Sequence, residues 1–407
     1  MSPPRIIALD NPIRDYAWGS ATHIPQLLGI PATGRPAAEL WIGAHPDSPS
    51  RWADPTEPIE DAGVGLDALI AAAPAELLGP QVLERFGARL PFLVKVLAAD
   101  RALSMQVHPD LVQARAGYAA EQQAGLAPDS PERNYSDPNH KPELAYALTD
   151  FDAFCGFRPV AQTAQFLDAL AVAELAHYRE LLLAEGGLRA TFTCLLTLRG
   201  DVRDALVAAT LAGCRRLAAE DGRWAAPARA VLLAGADFPG DVGAVLALLL
   251  NYVRLAPGEA IFLGAGNVHA YLRGACVEVL ANSDNVLRCG LTGKHVDVPE
   301  LLRIADFSPL PEPRWQPATD RPTTFELPVP DFTLTVTMAG VPLELAGRRP
   351  HLVLGGERRT VLRHGDELVE LAPWHAAFVA AGPGGSSVRA EGRAFVVSTA
   401  AEAGAVS

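Results

Sequence analysis

A repeated segment constrains the fold of this chain more than any other feature of its sequence. The run LAPGEAIFLGAGNVHA begins at Leu255, and the run LAPWHAAFVAAGPGGS begins at Leu371. Both copies open with Leu-Ala-Pro and carry a phenylalanine, Phe262 or Phe378, ahead of an Ala-Gly pair. Because a turn, a strand and a glycine-terminated bend recur at one spacing, the repeat predicts two copies of a β-barrel unit.

The two copies differ at one position of chemical interest, where the first has His269 and the second has Gly385. The first copy also resembles the second motif of cupins, G-x5-P-x-G-x2-H, through Gly258, Gly266 and His269, with Gly264 in place of the usual proline. If His269 binds a metal, the second copy has lost that ligand. We therefore expect two cupin (jelly-roll) barrels and one metal ion per chain.

The distribution of residue types along the chain predicts an α-helical domain inserted into a mainly β protein. Residues 156–251 are rich in alanine and leucine at a spacing of 3.6 residues. Residues 1–155 and 252–307 mix short β-like runs with turns, so we expect them to form one catalytic cupin domain together. The Pro-rich stretch 308–322 is the best linker candidate. Residues 323–407 then form a cupin-like domain without metal.

The charge and the cysteines limit the partners and the cellular compartment to be expected for the protein. A formal charge of −13 argues against nucleic acid or an anionic membrane as the main partner. No basic and then apolar leader opens the chain, and the most apolar run, from Val242, falls short of the roughly 18 residues of a membrane-spanning helix. The five cysteines show no paired spacing. We expect a reduced, cytoplasmic protein.

Two polar residues stand one residue apart in the β-like run SMQVHPD, at 104–110. Side chains at i and i+2 share one face of a strand, so Gln106 and His108 point the same way. The pair could be a surface feature, a buried hydrogen-bonded pair or half of a metal site. With Glu143 and His269 it would supply two imidazoles, a carboxylate and an amide oxygen, and catalytic zinc sites commonly use His and Glu. Spacing alone leaves these interpretations open.

The use of lysine adds a second observation. Of the 34 basic residues only three are lysine, namely Lys95, Lys141 and Lys294, and each stands in or beside a segment dense in polar residues. A lysine ammonium is compact and its pKa is adjustable, whereas arginine presents a wide planar fork. Clustered cations in an acidic protein indicate a small anionic substrate such as a phosphate ester.

Several long segments resemble those of class I phosphomannose isomerases, which are members of the cupin superfamily. They are YAWG, ELWIGAHPDSPS, LPFLVKVLAADRALSMQVHPD, NHKPELAYAL, GNVHAYL and ANSDNVLRCGLTGKHVD, and the resemblance runs from about Asn11 to Leu302. It implies an aldose–ketose isomerase that interconverts mannose 6-phosphate and fructose 6-phosphate through a cis-enediol. It also implies one zinc ion per chain, phosphorylated sugars as partners and a monomeric state.

The same resemblance implies roles for individual residues. The implied zinc ligands are Gln106, His108, Glu143 and His269. The implied catalytic residues are Arg288, Lys141, His140 and Asp284, and the implied substrate-binding residues are Lys95, Ser104, Trp18 and Tyr271. Arg288 is expected to stabilise the enediolate. The group that transfers the proton stays open between His140, Lys141 and a zinc-bound water.

Two other classes of function fit a cupin with a His/Glu set. An iron-dependent cupin dioxygenase uses similar ligands, but it usually needs three histidines and has little use for cationic anchors. A non-catalytic sugar-binding bicupin would keep the fold without the full ligand set. The intact polar segments argue against this second class.

Overall fold

The structure is a computed structural model that describes residues 4–53, 63–310, 313–316, 318 and 321–401. The strands in chain order are β1 (Ile6–Asp10), β2 (Ile13–Arg14), β3 (Glu39–Ile42), β4 (Arg51–Trp52), β5 (Phe92–Ala99), β6 (Met105–Val107), β7 (Glu143–Ala147), β8 (Phe151–Phe157), β9 (Leu250–Leu255), β10 (Ala260–Leu263), β11 (His269–Ala281), β12 (Leu287–Gly290), β13 (Arg314–Trp315), β14 (Thr323–Phe325), β15 (Thr333–Val336), β16 (Leu343–Leu345), β17 (His351–Gly355), β18 (Thr360–His364), β19 (Glu367–Leu371), β20 (Ala376–Val379), β21 (Ser386–Ala390) and β22 (Ala394–Ser398).

The helices are concentrated between β8 and β9, which confirms a mainly β protein with a helical segment. They are α1 (His23–Leu28), α2 (Leu66–Ala72), α3 (Pro74–Leu78), α4 (Pro80–Phe86), α5 (Leu111–Gln123), α6 (Val160–Leu170), α7 (Ala176–Leu182), α8 (Gly187–Leu196), α9 (Gly200–Ala218), α10 (Ala225–Asp237), α11 (Gly243–Leu246) and α12 (Val298–Ile304), with 3₁₀ turns at Ala173–Leu175 and Ala247–Leu249. In the ranges that the structure describes, every helix is too short or too polar to cross a lipid bilayer.

The chain divides into two compact units. Unit 1 comprises the described residues of Met1–Ala98, Cys276–Asn282 and Gln316–Ser407. Unit 2 comprises the described residues of Ala99–Ala275 and Ser283–Trp315. The boundary between them falls within β11.

Unit 1 contains two packed antiparallel sheets built largely from the C-terminal strands. One has the order β14-β15-β22-β17-β20-β1-β4 and the other the order β16-β21-β18-β19. Val353 and Val379 of the first sheet and Leu362 and Val388 of the second belong to one buried apolar cluster. Burial of alternate apolar side chains from both sheets is what holds such a sandwich together.

The first strand departs from the predicted domain limit of 1–155. β1 pairs with β20, and Ile6 lies opposite Val379, so the N-terminal strand belongs to the sheet of the C-terminal strands. A strand that finds its partner more than 360 residues away is placed by tertiary packing, which a local pattern does not reveal. The other predicted domain limits stay predictions.

The repeat adopts the same local structure in both copies. β10 and β20 occupy equivalent positions of the repeat, and the strands after the bend begin at His269 and Ser386. In the first copy Gly266 has a φ of +75°, and a Cβ there would lie 2.9 Å from the Cβ of Asp306. Only glycine fits this bend, which sets the direction in which β11 begins.

In unit 2 the helical segment α6–α11 packs on strands that carry polar candidates. Helix α6 buries Thr163, Phe166, Leu167 and Leu170 at helical spacing. Phe166, Leu167 and Leu170, together with many apolar side chains from α8 to α11, belong to a cluster that also contains Met105 and Val107 of β6, Val268 next to β11, and Leu287 of β12. The strand order here is β12-β6-β11-β8-β9, and β10 pairs with β7 and β13.

Candidate metal centre

Strand pairing in unit 2 places three predicted site residues side by side. Strand β6 lies between β11 and β12, and Gln106 pairs directly with His269 on one side and with Arg288 on the other. Residues opposite each other in antiparallel strands share a face, with Cβ atoms roughly 4.5–5.5 Å apart. Residues far apart in sequence therefore present their side chains to one region.

Three ligand-type side chains meet in a buried cluster, His108, Glu143 and His269, which we call the metal-site cluster. The Nε2 atom of His108 lies 3.4 Å from Oε1 of Glu143, and the Nε2 atom of His269 lies 3.5 Å from Oε2. One candidate ligand atom from each residue falls within 4.8 Å of the others. Their exposed fractions are only 1%, 2% and 1%. The structure thus places these three residues close together.

Backbone carbonyls fix both imidazole rings. His108 donates from Nδ1 to the Asn285 carbonyl at 2.7 Å, and His269 donates from Nδ1 to the Asn267 carbonyl at 3.0 Å. A carbonyl only accepts, so the proton must lie on Nδ1 in each ring. Both Nε2 lone pairs are then directed toward Glu143, the arrangement in which histidine binds metals.

The cluster fits a metal ion by the state of its own polar atoms. His108 Nε2 and Glu143 Oε2 are buried and form no hydrogen bond with any residue that the structure describes. A buried polar atom without a partner is unfavourable, and a cation would satisfy both atoms. Gln106 Nε2 lies 3.4 Å from His269 Nε2, and rotation of the amide by 180° brings its oxygen to the same place. Two imidazoles with carboxylate and amide oxygens suit zinc.

The protonation states of His108 and Glu143 favour binding of a metal ion. Burial lowers the pKa of His108 to about 4, so its imidazole is neutral at pH 7. Burial by itself would raise the pKa of the Glu143 carboxyl, but the Lys141 ammonium beside it acts in the opposite direction, and that pKa is held well below its usual range. The Lys141 ammonium lies 3.5 Å from Glu143 Oε1 and is itself buried.

Five further predicted site residues belong to unit 2. Arg288 is partly buried, and burial lowers the pKa of its guanidinium. Tyr271 follows His269 by two positions in β11, is buried, and has its ring centroid 6.0 Å from that of His269. Ser104 precedes β6, and His140 precedes β7. Asp284 is exposed in the loop before β12.

Two predicted substrate-binding residues belong to unit 1. Lys95 is buried with its ammonium 3.4 Å from Glu39 and 3.5 Å from Glu278. It also lies 5.0 Å from the centre of the Trp41 ring. Trp18 is partly buried and stacks on Tyr16 with ring centroids 5.8 Å apart. The two carboxylate partners of Lys95 were missed by sequence reasoning, because only the folded strands bring them to the lysine.

Asn285 is a further residue that sequence reasoning missed. Its side chain is fully buried and donates to the carbonyls of Asp137 and Asn139, each at 2.7 Å. Its own carbonyl holds His108. The density of polar residues in the SDN segment was the available signal, but it did not reveal which backbone groups the amide would join.

Comparisons with known proteins agree with this geometry. The family model for the catalytic domain of type I phosphomannose isomerase matches residues 6–160. The chain is 38% identical to mannose-6-phosphate isomerase of Escherichia coli over 392 residues, which is 95% of this chain and 97% of that protein. It is 33% identical to mannose-6-phosphate isomerase of Bos taurus over 362 residues, 82% of each chain.

Solved structures show the same likeness. A zinc-bound mannose 6-phosphate isomerase structure has a TM-score of 0.87 and 36% identity, and the match covers 98% of this chain and all of that one. The apo form from Salmonella typhimurium gives the same TM-score, identity and coverage. The chain therefore belongs to the type I phosphomannose isomerase family of enzymes.

Proposed function

We propose that the protein is a zinc-dependent aldose–ketose isomerase that interconverts mannose 6-phosphate and fructose 6-phosphate through a cis-enediol. The observation that carries the proposal is the buried metal-site cluster, in which His108 Nε2 and Glu143 Oε2 form no hydrogen bond among the described residues. The names of the relatives and the zinc-bound relative support the substrate and the metal.

Gln106, His108, Glu143 and His269 would hold the ion. A bound zinc would polarise the carbonyl oxygen of the sugar and offset the negative charge that develops there. Backbone carbonyls orient the two histidines, and the position of Gln106 in β6 orients its amide.

Arg288 would stabilise the enediolate, since it neighbours Gln106 across β6 and β12. One well-placed donor to a developing oxyanion contributes about 3–4 kcal/mol. Lys141 would bind an anionic or hydroxyl group of the sugar, and it remains, with His140, a candidate for proton transfer. Glu143 is a poor candidate for that step while it ligates zinc. Asp284 and His140 would assist ring opening, and Lys95, Ser104, Trp18 and Tyr271 would contact the substrate.

We further infer that the repeat marks two cupin barrels, of which only the first binds metal. The strand–bend–strand pattern of both copies supports this, as does Gly385 at the position equivalent to His269. The catalytic domain would comprise 1–155 with 252–307, apart from β1, and the helical domain 156–251. The metal-free domain would comprise 323–407. From the charge we also expect no nucleic-acid or membrane partner, from the cysteines a cytoplasmic enzyme, and from the family resemblance a monomer.

The decisive experiment is a coupled assay for fructose 6-phosphate formed from mannose 6-phosphate, with the metal content measured on protein purified without added metal. Isomerisation by a zinc-containing protein is the expected result. Its matched control is Glu143→Gln, which removes the charge of one ligand while keeping its size. Iron in place of zinc would favour the dioxygenase, and a zinc-loaded protein that binds the sugar without converting it would favour a binding bicupin.

A further inference from the structure

The connection between α10 and α11 contacts the strands that carry the candidate site. This connection runs from Asp237 at the end of α10 to Gly243 at the start of α11, and it belongs to unit 2 together with β6, β12 and the first part of β11. It carries two carboxylates, Asp237 and Asp241, and both accept hydrogen bonds from those strands or the segments next to them. The helical segment is therefore joined to the site by polar contacts as well as by its apolar core.

Asp241 holds the end of β12. Its Oδ1 atom accepts from the backbone N–H of Leu291 at 2.8 Å and from that of Gly243 at 2.6 Å, and its Oδ2 atom accepts from the N–H of Thr292 at 3.3 Å. Leu291 has a φ of +51°, a left-handed conformation that side chains with a Cβ rarely adopt. The carboxylate compensates for this conformation by satisfying the two N–H groups that leave the strand there.

Two glycines allow the backbones to approach. A Cβ on Gly290 would lie 2.7 Å from the Cα of Gly243, and a Cβ on Gly243 would lie 2.6 Å from the backbone nitrogen of Leu291. Both distances are closer than real Cβ contacts. The start of α11 thus rests directly on the last residue of β12, with no side chain between them.

The pairing of β12 with β6 explains why this contact bears on Arg288. The register between the two strands shifts between Arg288 and Gly290, so the ladder is interrupted immediately after Arg288. Bulges of this kind redirect side chains and often lie next to active sites. Beyond the bulge Gly290 still pairs with Met105, and Asp241 holds the two residues that follow, Leu291 and Thr292.

Asp237 stands at the α10 end of the same connection and contacts other parts of the site. Its Oδ2 atom accepts from the N–H of Ala102 and from Nη1 of Arg273, each at 2.7 Å. Ala102 lies four residues before Gln106, and Arg273 lies four residues after His269. The segment leading into β6 and the strand β11 are therefore held by the same short stretch that holds β12.

We propose that Asp241 is a positioning residue for Arg288, through which the helical segment fixes the guanidinium beside the metal-site cluster. The inference rests on the proposed isomerase function and on the role expected of Arg288. Asp241 touches neither substrate nor metal ligand in this role. Its loss should misplace a catalytic group without removing any zinc ligand.

The test compares kcat, KM and zinc content of Asp241→Ala, Asp241→Asn and Gly290→Ala with those of the wild type. Asp241→Ala should lower kcat roughly 10- to 100-fold, as expected for displacement of a catalytic group by about 1 Å. Asp241→Asn keeps one acceptor oxygen and should lose less. Gly290→Ala leaves the carboxylate in place but separates α11 from β12, so it should also lower kcat. Zinc content and KM should stay near the wild-type values.

A second readout separates positioning from general stability. In an Arg288→Ala background, Asp241→Ala should cause little further loss of kcat, because a residue that acts through Arg288 has nothing left to position. The control Asp168→Ala removes an exposed carboxylate of the helical segment that pairs with Arg179. It should leave kcat unchanged.

The outcomes are distinguishable from failure of the proposed function. If the wild type and Asp168→Ala do not isomerise the sugar phosphate, the proposed function is wrong. If both are active and Asp241→Ala retains wild-type kcat, the positioning role is wrong. A loss of zinc in parallel with kcat, or a full additional loss in the Arg288→Ala background, would likewise overturn it. If Asp241→Ala does not fold, the kcat values of Asp241→Asn and Gly290→Ala take its place in the test. Wild-type kcat in both variants would then show that the positioning role is wrong.

Discussion

The imidazole of His108 lies 3.4 Å from the carboxylate of Glu143, and both side chains are almost completely buried. Such a pair could be an ion pair or two ligands of a metal. Burial lowers the pKa of His108 to about 4, so the ring is neutral at pH 7 and does not form an ion pair. A neutral imidazole whose Nδ1 proton is held by a carbonyl presents Nε2 in the form that binds metals.

Removal of zinc should abolish isomerisation, and addition of zinc should restore it. His269→Ala removes one imidazole of the metal-site cluster, so we expect metal below one equivalent per chain and a loss of activity. The measurement is metal content by mass spectrometry together with the coupled assay. His177→Ala, an exposed histidine on α7, is the matched control and should keep full metal content. Full activity of a demonstrably metal-free preparation would contradict the site assignment.

Arg288→Ala should lower kcat far more than it raises KM, because its charge matters most when the enediolate forms. Loss of one such donor corresponds to roughly 100- to 1,000-fold in kcat. Lys141→Ala should instead weaken binding of the phosphorylated sugar. Steady-state kinetics of both variants check this, with Arg254→Ala, an exposed partner of Asp150, as the control. A kcat of Arg288→Ala within a few-fold of wild type would exclude the catalytic role.

Sequence reasoning located the parts of the site that depend on local pattern. The i, i+2 spacing predicted a common face for Gln106 and His108, although β6 ends at Val107, and the repeat predicted the bend before His269. Helical periodicity predicted the helical segment. Each of these is fixed by neighbours in the chain, through strand alternation, glycine conformation and apolar spacing.

The rest depends on contacts between distant residues, which no local pattern encodes. β1 joins β20 because its buried face completes a sheet of the C-terminal strands. Glu39 and Glu278 meet Lys95 only once the strands that carry them have formed. In the sequence Asp241 has no feature that separates it from other loop aspartates. Its role becomes visible only through its hydrogen bond with the N–H of the left-handed Leu291. Sequence alone therefore identified the candidate ligands better than the groups that orient them.

The stability of unit 1 should fall in acid because of His351. This side chain is 5% exposed and donates from Nε2 to the Ala346 carbonyl at 3.0 Å, and burial lowers its pKa to about 4. The ordinary pKa is about 6.5, so between these values the unfolded chain binds a proton that the folded chain does not. The free energy of unfolding should therefore decrease by about 3 kcal/mol as the pH falls from about 6.5 to 4. Above pH 6.5 the protonation of His351 should not change the free energy of unfolding.

Thermal unfolding midpoints measured across that pH range check this expectation. His351→Gln keeps a donor for the Ala346 carbonyl but cannot titrate, so its midpoint should depend less on pH than that of the wild type. The exposed His375 serves as the control, since His375→Gln should leave the pH dependence unchanged. Equal pH dependence in all three proteins would remove His351 as the cause.

One zinc ion should bind per chain, held wholly by residues before position 310. The C-terminal copy of the repeat has Gly385 where the first copy has His269, and its two nearest imidazoles have other partners. His364 contacts the Ser386 hydroxyl at 2.8 Å, and the exposed His375 donates to the Pro373 carbonyl at 3.0 Å. His375→Ala should leave zinc content and kcat unchanged. Two zinc ions per chain, or a metal contact beyond 310, would show that the repeat was misread.

Asn285→Ala should weaken zinc binding although Asn285 is not a ligand. The amide joins the carbonyls of Asp137 and Asn139, and the carbonyl of the same residue fixes His108 Nδ1. Without the amide, two buried carbonyls lose their donor and the loop that orients His108 is less restrained. Loss of such an orienting partner typically costs 10- to 100-fold in metal affinity. Competition with a zinc-binding dye would measure this, and Asn134→Ala, whose amide donates to Asp297, is the control. Equal zinc affinity in Asn285→Ala and the wild type would show that the backbone alone holds His108 in place.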